Sequence, residues 1–225
     1  MYTSTTMEIV PLGHSAFKLR GKSASVVCDP YDPTMVGLTF PKHTSADIIT
    51  VSHSHKDHSF TKIVDKEPEG QQIIVHGPGE YEIRGVSIIG IQTDHDGEGG
   101  KARGKNTVYR LEIDTIVLAH LGDLGHTLSE AQVELLDGVD VLFVPVGGVY
   151  SLDAKTAVKV VSDVEPKIVI PMHYKRPELK TDDFGTLAPV ADFLKEIGKE
   201  GVVAQPKLKV TKDTLNDEMQ VVILE

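Results

Sequence analysis

No stretch of this 225-residue chain approaches the roughly 18 consecutive apolar residues that a membrane span requires. Its opening, Met1-Tyr2-Thr3-Ser4-Thr5-Thr6, carries neither the basic n-region nor the apolar h-region of a secretory signal. A cytoplasmic protein with no membrane partner is therefore expected. Cysteine is almost missing: Cys28 has no second thiol in the chain to pair with, which suits a reducing compartment. Within Val26-Val27-Cys28-Asp29 it reads as core filler rather than as a ligand or nucleophile. Basic charge is short too. The 23 Lys and Arg face 33 Asp and Glu, a net of −10, and that balance opposes binding to long nucleic acid or to anionic membrane surfaces. Blocks of like charge and internal repeats are both absent, so neither an interaction tail nor a solenoid is indicated. Nor does any break in composition mark a second domain, and 40% hydrophobic content can bury one sizeable core. A single domain over residues 7–225 is expected, with 1–6 as a disordered extension.

The chain does contain His53-Ser54-His55-Lys56-Asp57-His58, four metal-capable side chains within six residues. The preceding residues 47–51, β-branched from Ile48 to Val51, read as a short buried strand that delivers the cluster into a loop. Alternation sends His53 and His55 to one side, where they can share an ion, while Asp57 and His58 in the following turn can face a second. Strand patterns precede and follow: 8–11, 16–19 and 25–28 as an antiparallel opening, then 72–75, the hairpin 81–84 with 86–92, and the pair 106–113 with 115–119. A short helix is expected over 58–65. Later the period becomes helical at 128–136, 154–161 and 190–197, interleaved with apolar strands at 139–144 and 167–170. Strands first, then helices alternating with strands, predict an α/β (α+β) fold of two sheets with helices outside.

The spacing HxHxDH resembles the signature of the metallo-β-lactamase superfamily. Gly13-His14-Ser15-Ala16-Phe17, Asp29-Pro30, His120-Leu121-Gly122-Asp123, Pro145-Val146-Gly147-Gly148 and Pro171-Met172-His173-Tyr174 are similar to stations of one branch. That branch includes L-ascorbate-6-phosphate lactonase, N-acyl-phosphatidylethanolamine phospholipase D and many hydrolases without an assigned substrate. The resemblance implies a single-domain, four-layer αββα sandwich. It implies His95, at the end of an apolar run, as the third ligand of a first metal with His53 and His55. His173 would complete a second metal with Asp57 and His58, and Asp123 would bridge the two ions, one oxygen to each.

Other positions stay open at this stage. Gly125-His126-Thr127 imitates a Gly-His-Thr ligand motif but follows Asp123 in the chain, so His95 is preferred. Thr127 to Glu130 has the capping-box form, and His126 is either a substrate contact or proton donor, or a neighbour of the cap. His120 is expected behind the ligands, orienting them, and Asp29 as a buttress of the ligand loop. His14 is placed near the metals only by the resemblance; His43 and His76 have no such support. Tyr150, Tyr174 and Lys175 either line a pocket or pack. Residues 97–105, rich in Gly and carrying Lys101, Arg103 and Lys105, read as a mobile loop, either a solvated hairpin or a flap that meets an anionic group.

Imidazoles with carboxylates favour Zn²⁺, two per chain, with Mn²⁺ or Fe²⁺ next. The expected activity is hydrolysis of a small ester, lactone or phosphoester by a metal-bridged hydroxide, with Asp57, Asp123, His120 and His126 as candidate catalytic residues. The substrate is a small molecule, with an anionic one open, and a homo-oligomer is open as well. The alternatives are a non-enzymatic, metal-binding sensing or assembly protein and an iron redox protein of the same fold.

Overall fold

A computed structural model describes residues 5–68 and 70–225. The first half runs β1 (Met7–Gly13), β2 (Ala16–Arg20), β3 (Ser25–Cys28), α1 (Pro33–Val36), β4 (Ser45–Ala46), β5 (Ile48–Val51), β6 (Asp65–Lys66) and β7 (Ile73–His76). Then follow β8 (Gly79–Ile83), β9 (Val86–Asp94), β10 (Lys105–Ile113), β11 (Ile116–His120), α2 (Glu130–Glu134) and β12 (Val141–Pro145). The chain closes with α3 (Ala154–Val164), β13 (Ile168–Met172), α4 (Thr181–Phe184), α5 (Val190–Glu196), β14 (Leu208–Val210) and β15 (Gln220–Val221).

Two sheets result, in the orders β14-β1-β2-β3-β5-β7 and β15-β13-β12-β11-β10-β9-β8, beside a two-stranded β4-β6 pair. Each sheet begins as an antiparallel meander and continues in parallel, β3 to β5 to β7 in one and β11 to β12 to β13 in the other. Strand alternation assigns the layers. On β11, Ile116 and Leu118 face the partner sheet while Val117 and Ala119 face outward; on β12, Val141 and Phe143 face inward and Leu142 and Val144 outward. On β3, Val26 and Cys28 face inward and Val27 outward. The apolar residues thus divide into one core between the sheets and one on each outer face, which agrees with the two sheets and outer helices the pattern predicted and with the four-layer sandwich the resemblance implies.

The outer layers are unequal. On the second sheet lies α3, whose buried Ala157, Val160, Val161 and Val164 recur at helical spacing, with Asp153 capping its N-terminus and α5 packed beside it. Among the described residues, the first sheet is covered by the one-turn helices α1 and α4 and their loops, through Val36, Leu38, Leu179 and Phe184, and by Ala46 and Val64 beside the β4-β6 pair.

Several local expectations are corrected. Residues 58–65 form one 3₁₀ turn, Thr61–Ile63, rather than a helix. The backbone there is claimed by the loop after β3: Phe60 N–H donates to Pro30 O (2.7 Å) and Asp32 N–H to Lys56 O (2.9 Å). The capping box uses Ser129 and Gln132 rather than Thr127 and Glu130. The short α1, α4, β14 and β15 have no readable period and were not anticipated. The disorder expected at 1–6 falls mostly on residues outside those described.

One buried hydroxyl ties the sheets together. Tyr109 on β10 donates to Val51 O (3.0 Å) on β5 and accepts from Gly77 N (2.8 Å) just past β7, with its ring fully buried between the sheets. Tyr109→Phe keeps the packing but removes both bonds, and it should lower the unfolding free energy by about 1–2 kcal/mol with an unchanged denaturant slope. A denaturation curve superimposable on wild type would refute this tie.

Candidate metal centre

Parallel strands deliver their C-terminal ends to one rim of the sandwich, and the polar residues collect there. His53, His55, Asp57 and His58 follow β5, His95 follows β9, Asp123 follows β11 and His173 follows β13. His14 comes from the β1–β2 turn and Asp29 from the end of β3. His14 (φ 53°), Asp29 (φ 46°) and His173 (φ 54°) all adopt the left-handed conformation, an unfavourable backbone concentrated at one place.

Asp123 sits at the centre. Its Oδ2 lies 3.3 Å from His95 Nε2, 3.3 Å from His173 Nε2 and 3.9 Å from His53 Nε2, and its Oδ1 lies 3.3 Å from His58 Nε2. Asp57 Oδ2 is 3.5 Å from both His14 Nε2 and His58 Nε2, and 4.0 Å from His173 Nε2. Ligands held about 2.1 Å from one tetrahedral ion stand roughly 3.4 Å apart. Three groups of donor atoms lie within 4.8 Å of one another, His53 with His55 and His95, Asp57 with His14, His58 and His173, and Asp29 with His53 and His58; in the third, Asp29 is already engaged by hydrogen bonds from Ser52 and His58, which leaves the first two as candidate ion sites.

The hydrogen-bond pattern fits cations. His53 Nε2, His58 Nε2, His173 Nε2, His14 Nε2 and Asp123 Oδ1 are buried without a hydrogen-bond partner, which is costly unless something else binds them. Burial pushes the imidazole pKa of His53 down to about 3 and that of His14 to about 4, so these rings are neutral and keep their lone pairs. For His58 burial acts the same way, but the charges of Asp123 and Asp57 outweigh it and hold the imidazolium well above its ordinary pKa. Burial would raise the Asp123 pKa; the charges of His173 and His58 keep it well below the carboxylate range. The cluster therefore gathers buried anionic oxygen around imidazole nitrogen, with the His58 proton standing where a cation would displace it, the donor set of a borderline divalent ion.

A second layer fixes these groups. Asp29 Oδ2 accepts from His58 Nδ1–H (2.8 Å) and from the Ser52 hydroxyl, and Oδ1 accepts from Ser52 N–H (2.8 Å). With its proton given to Asp29, the Ser52 hydroxyl accepts from His53 Nδ1–H (2.9 Å). Both rings thereby present Nε2 lone pairs inward. The expected buttress is thus in place. His120 Nε2–H donates to Ser15 O (2.9 Å) and its Nδ1 accepts from Gly122 N–H (3.2 Å), which holds the turn leading to Asp123. Asn106 Oδ1 accepts from Asp123 N–H (3.0 Å). A Cβ on Gly147 would stand 2.0 Å from His173 O, so that loop passes the site only as glycine.

Ser52 and Asn106 were not anticipated. Each is a buried polar residue at a strand end, the one signal that could have found them.

His126 stands apart from the cluster. Its Nε2 accepts from Asp94 N–H (3.0 Å) and its Nδ1–H donates to Thr127 O (2.7 Å), so both nitrogens are spent on backbone and neither is available as donor or acid. The stretch read as a mobile loop is wound around Asp96, whose carboxylate accepts four backbone N–H bonds of 2.8–2.9 Å from Glu98, Gly100, Ala102 and Arg103. Its three cations separate: Lys105 pairs with Asp94 at 2.6 Å, Lys101 is exposed, and the Arg103 guanidinium lies 5.3 Å from the centre of the Tyr150 ring. Tyr174 is buried with its hydroxyl on Glu225 (3.0 Å), and Lys175 points to solvent. His43 and His76 remain outside the site. A cavity of about 290 Å³ opens over His55, Asp57, His95 and Asp123, walled by Arg103, Tyr150, Met35 and Phe184.

Comparisons with known proteins give the family and the fold. Residues 8–173 match the family described as a beta-lactamase superfamily domain. A protein of Staphylothermus marinus named as a metal-dependent hydrolase is 31% identical over 189 residues, covering 72% of this chain and 81% of the relative. One of Thermococcus onnurineus with the same name is 29% identical over 188 residues, 72% of this chain and 82% of that protein. A Thermotoga maritima crystal structure, presented as a candidate zinc-dependent hydrolase of the metallo-beta-lactamase superfamily, superposes with a TM-score of 0.76 at 36% identity, over 97% of this chain and 98% of that one.

The Asp29 network yields a direct expectation. Asp29→Ala strands the donors of Ser52 and His58 in the interior and should destabilise the fold by roughly 3 kcal/mol. Asp29→Asn, which keeps an acceptor and tolerates φ > 0, should lose less. Thermal unfolding of the two variants measures this, and equal losses would contradict the role given to the carboxyl oxygens.

Proposed function

This chain belongs to the beta-lactamase superfamily and is a metal-dependent hydrolase of that fold; from this premise we propose that it hydrolyses a small ester, lactone or phosphoester at a two-ion site. The observation carrying the reading is Asp123, whose carboxylate stands between both donor groups, Oδ2 3.3 Å from His95 Nε2 and from His173 Nε2 and Oδ1 3.3 Å from His58 Nε2, with the Nε2 atoms of His53, His58 and His173 buried and unpartnered. His53, His55 and His95 would hold one ion, Asp57, His58 and His173 the other, and Asp123 would serve both. The donor set favours Zn²⁺, then Mn²⁺ or Fe²⁺. Such ions supply acidity to a water and polarise the carbonyl or phosphoryl group under attack.

The remaining work falls to side chains. Asp57 lines the cavity and is placed to take a proton from the attacking water. Asp29 and Ser52 keep His58 and His53 in the tautomer with Nε2 free. His120 acts through Gly122 on the Asp123 turn, as a positioning residue rather than a proton carrier. The cavity of about 290 Å³ accommodates a small substrate, not a polymer segment. Arg103, the one cation among its lining residues, has no carboxylate within ion-pair distance among the described residues, so an anionic group on the substrate would find it unneutralised.

Two expectations test the reading. Metal analysis after dialysis should find two ions in wild type, and His95→Ala should lose more metal than His126→Ala, with hydrolysis of bis(p-nitrophenyl) phosphate or a lactone falling in parallel. Greater loss in His126→Ala would reverse the ligand assignment, and metal-loaded wild type inert towards esters, lactones and phosphoesters would overturn the substrate class. Arg103→Ala should raise KM for phosphorylated or carboxylated substrates roughly tenfold and leave neutral esters unchanged, whereas Lys101→Ala and Lys105→Ala should do neither. Equal effects on neutral and anionic substrates would count against charge recognition.

A further inference from the structure

We infer that His14 is a further protein ligand of the second ion, so that this ion is enclosed by side chains while the first faces the cavity and receives the substrate. The inference rests on the two-ion reading above and assigns different work to the two ions.

His14 is buried, 7% exposed, and neither ring nitrogen has a hydrogen-bond partner. A purely packing role against the Phe184 ring, 5.0 Å away, would leave the desolvation of both nitrogens unrecovered. Its Nε2 stands 3.5 Å from Asp57 Oδ2, the same separation as His58 Nε2, so the two imidazoles approach the carboxylate oxygen alike. The backbone supports the placement. His14 and His173 are both left-handed, and His173 N–H donates to His14 O (3.4 Å), which joins a turn of the first sheet to a strand end of the second. Both residues hold unfavourable φ values, and both aim unpartnered nitrogens at the same space.

The cavity lies to one side of this arrangement. It is lined by His55, Asp57, His95 and Asp123, and not by His14, His58 or His173, which are buried behind them. With His14 included, the second ion draws three imidazoles and the carboxylates of Asp57 and Asp123, a five-donor set that suits a five- or six-coordinate ion. The first draws His53, His55, His95 and Asp123, with His55 exposed towards the cavity.

The test is metal binding, not turnover. Apo protein is titrated with Zn²⁺ by calorimetry, comparing wild type with His14→Asn, which tolerates the left-handed backbone but lacks the imidazole. One equivalent should keep wild-type affinity, and the other should weaken at least about tenfold. Two equivalents bound with wild-type affinities would overturn the inference. Should the variant not fold, imidazole ¹⁵N spectra of wild type decide: on adding Zn²⁺ the His14 Nε2 resonance should move to the metal-bound range, and a His14 signal unchanged at two equivalents would refute ligation. Wild type that binds two ions with His14 engaged yet hydrolyses no ester, lactone or phosphoester would sink the hydrolase reading alone.

Discussion

A carboxylate removed from water must be answered by donors, and in this protein Asp29 is answered by the loop that carries the candidate ligands. Ser52 gives it two bonds and His58 a third, and through the Ser52 hydroxyl it also sets the tautomer of His53. The entire His53–His58 segment is thereby held in one conformation at the end of β5. Without that anchor the segment would be a polar loop whose rings could turn either nitrogen inward. The left-handed backbone of Asp29 is held by this network, while His14 and His173, also left-handed, are joined to each other by the bond from His173 N–H to His14 O.

The architecture explains why a polar cluster can exist in the interior at all. Both sheets change from antiparallel to parallel, and the parallel strands of both end at the same rim. Main-chain carbonyls and amides there are no longer consumed by ladders and become available to side chains such as Asn106, His120 and His126. Below the rim the apolar alternation of β10 to β13 is uninterrupted, so the cost of gathering charge is confined to one edge and the core beneath carries the stability. Three carboxylates, Asp29, Asp57 and Asp123, and seven imidazoles concentrated at that edge also give part of the net acidic charge a local meaning.

How much was legible in the sequence follows from the range over which each feature is decided. His53, His55, Asp57 and His58 lie on one loop, so spacing alone brings them together. Two sheets with outer helices were legible from periodicity, because β-branched alternation in 25–28 or 116–119 is a local property. His95, Asp123 and His173 needed the resemblance, since their meeting depends on how three distant strand ends converge. Ser52, Asn106 and the environment of His14 were not legible: their partners are distant in sequence, Asp29 for Ser52, Leu121 and Asp123 for Asn106, and Asp57 and His173 beside His14. The helix expected at 58–65 failed for a related reason, as tertiary hydrogen bonds to Pro30 and from Asp32 took the backbone out of the helical register. The polar, glycine-rich 97–105 stretch looked unstructured because its organiser, Asp96, binds amides and leaves no trace in hydrophobic pattern.

That Asp96 knot has a further meaning. It fixes the backbone path between His95 and the Tyr150-facing Arg103 through four amides; that of Gly100 requires glycine, at φ 78° with Gly104 O 2.7 Å from where a Cβ would stand, while those of Glu98, Ala102 and Arg103 do not depend on the side chain borne. The wall of the cavity is thus a scaffold of set length with interchangeable side chains. Such a wall can change its preference among molecules by single substitutions at 102 or 103, which line the cavity, while His95 stays where it is. An insertion or deletion between 97 and 103 would break the amide cradle and displace His95 with it, so descendants of this protein can explore new chemistry at the wall by exchange of residues far more readily than by change of length.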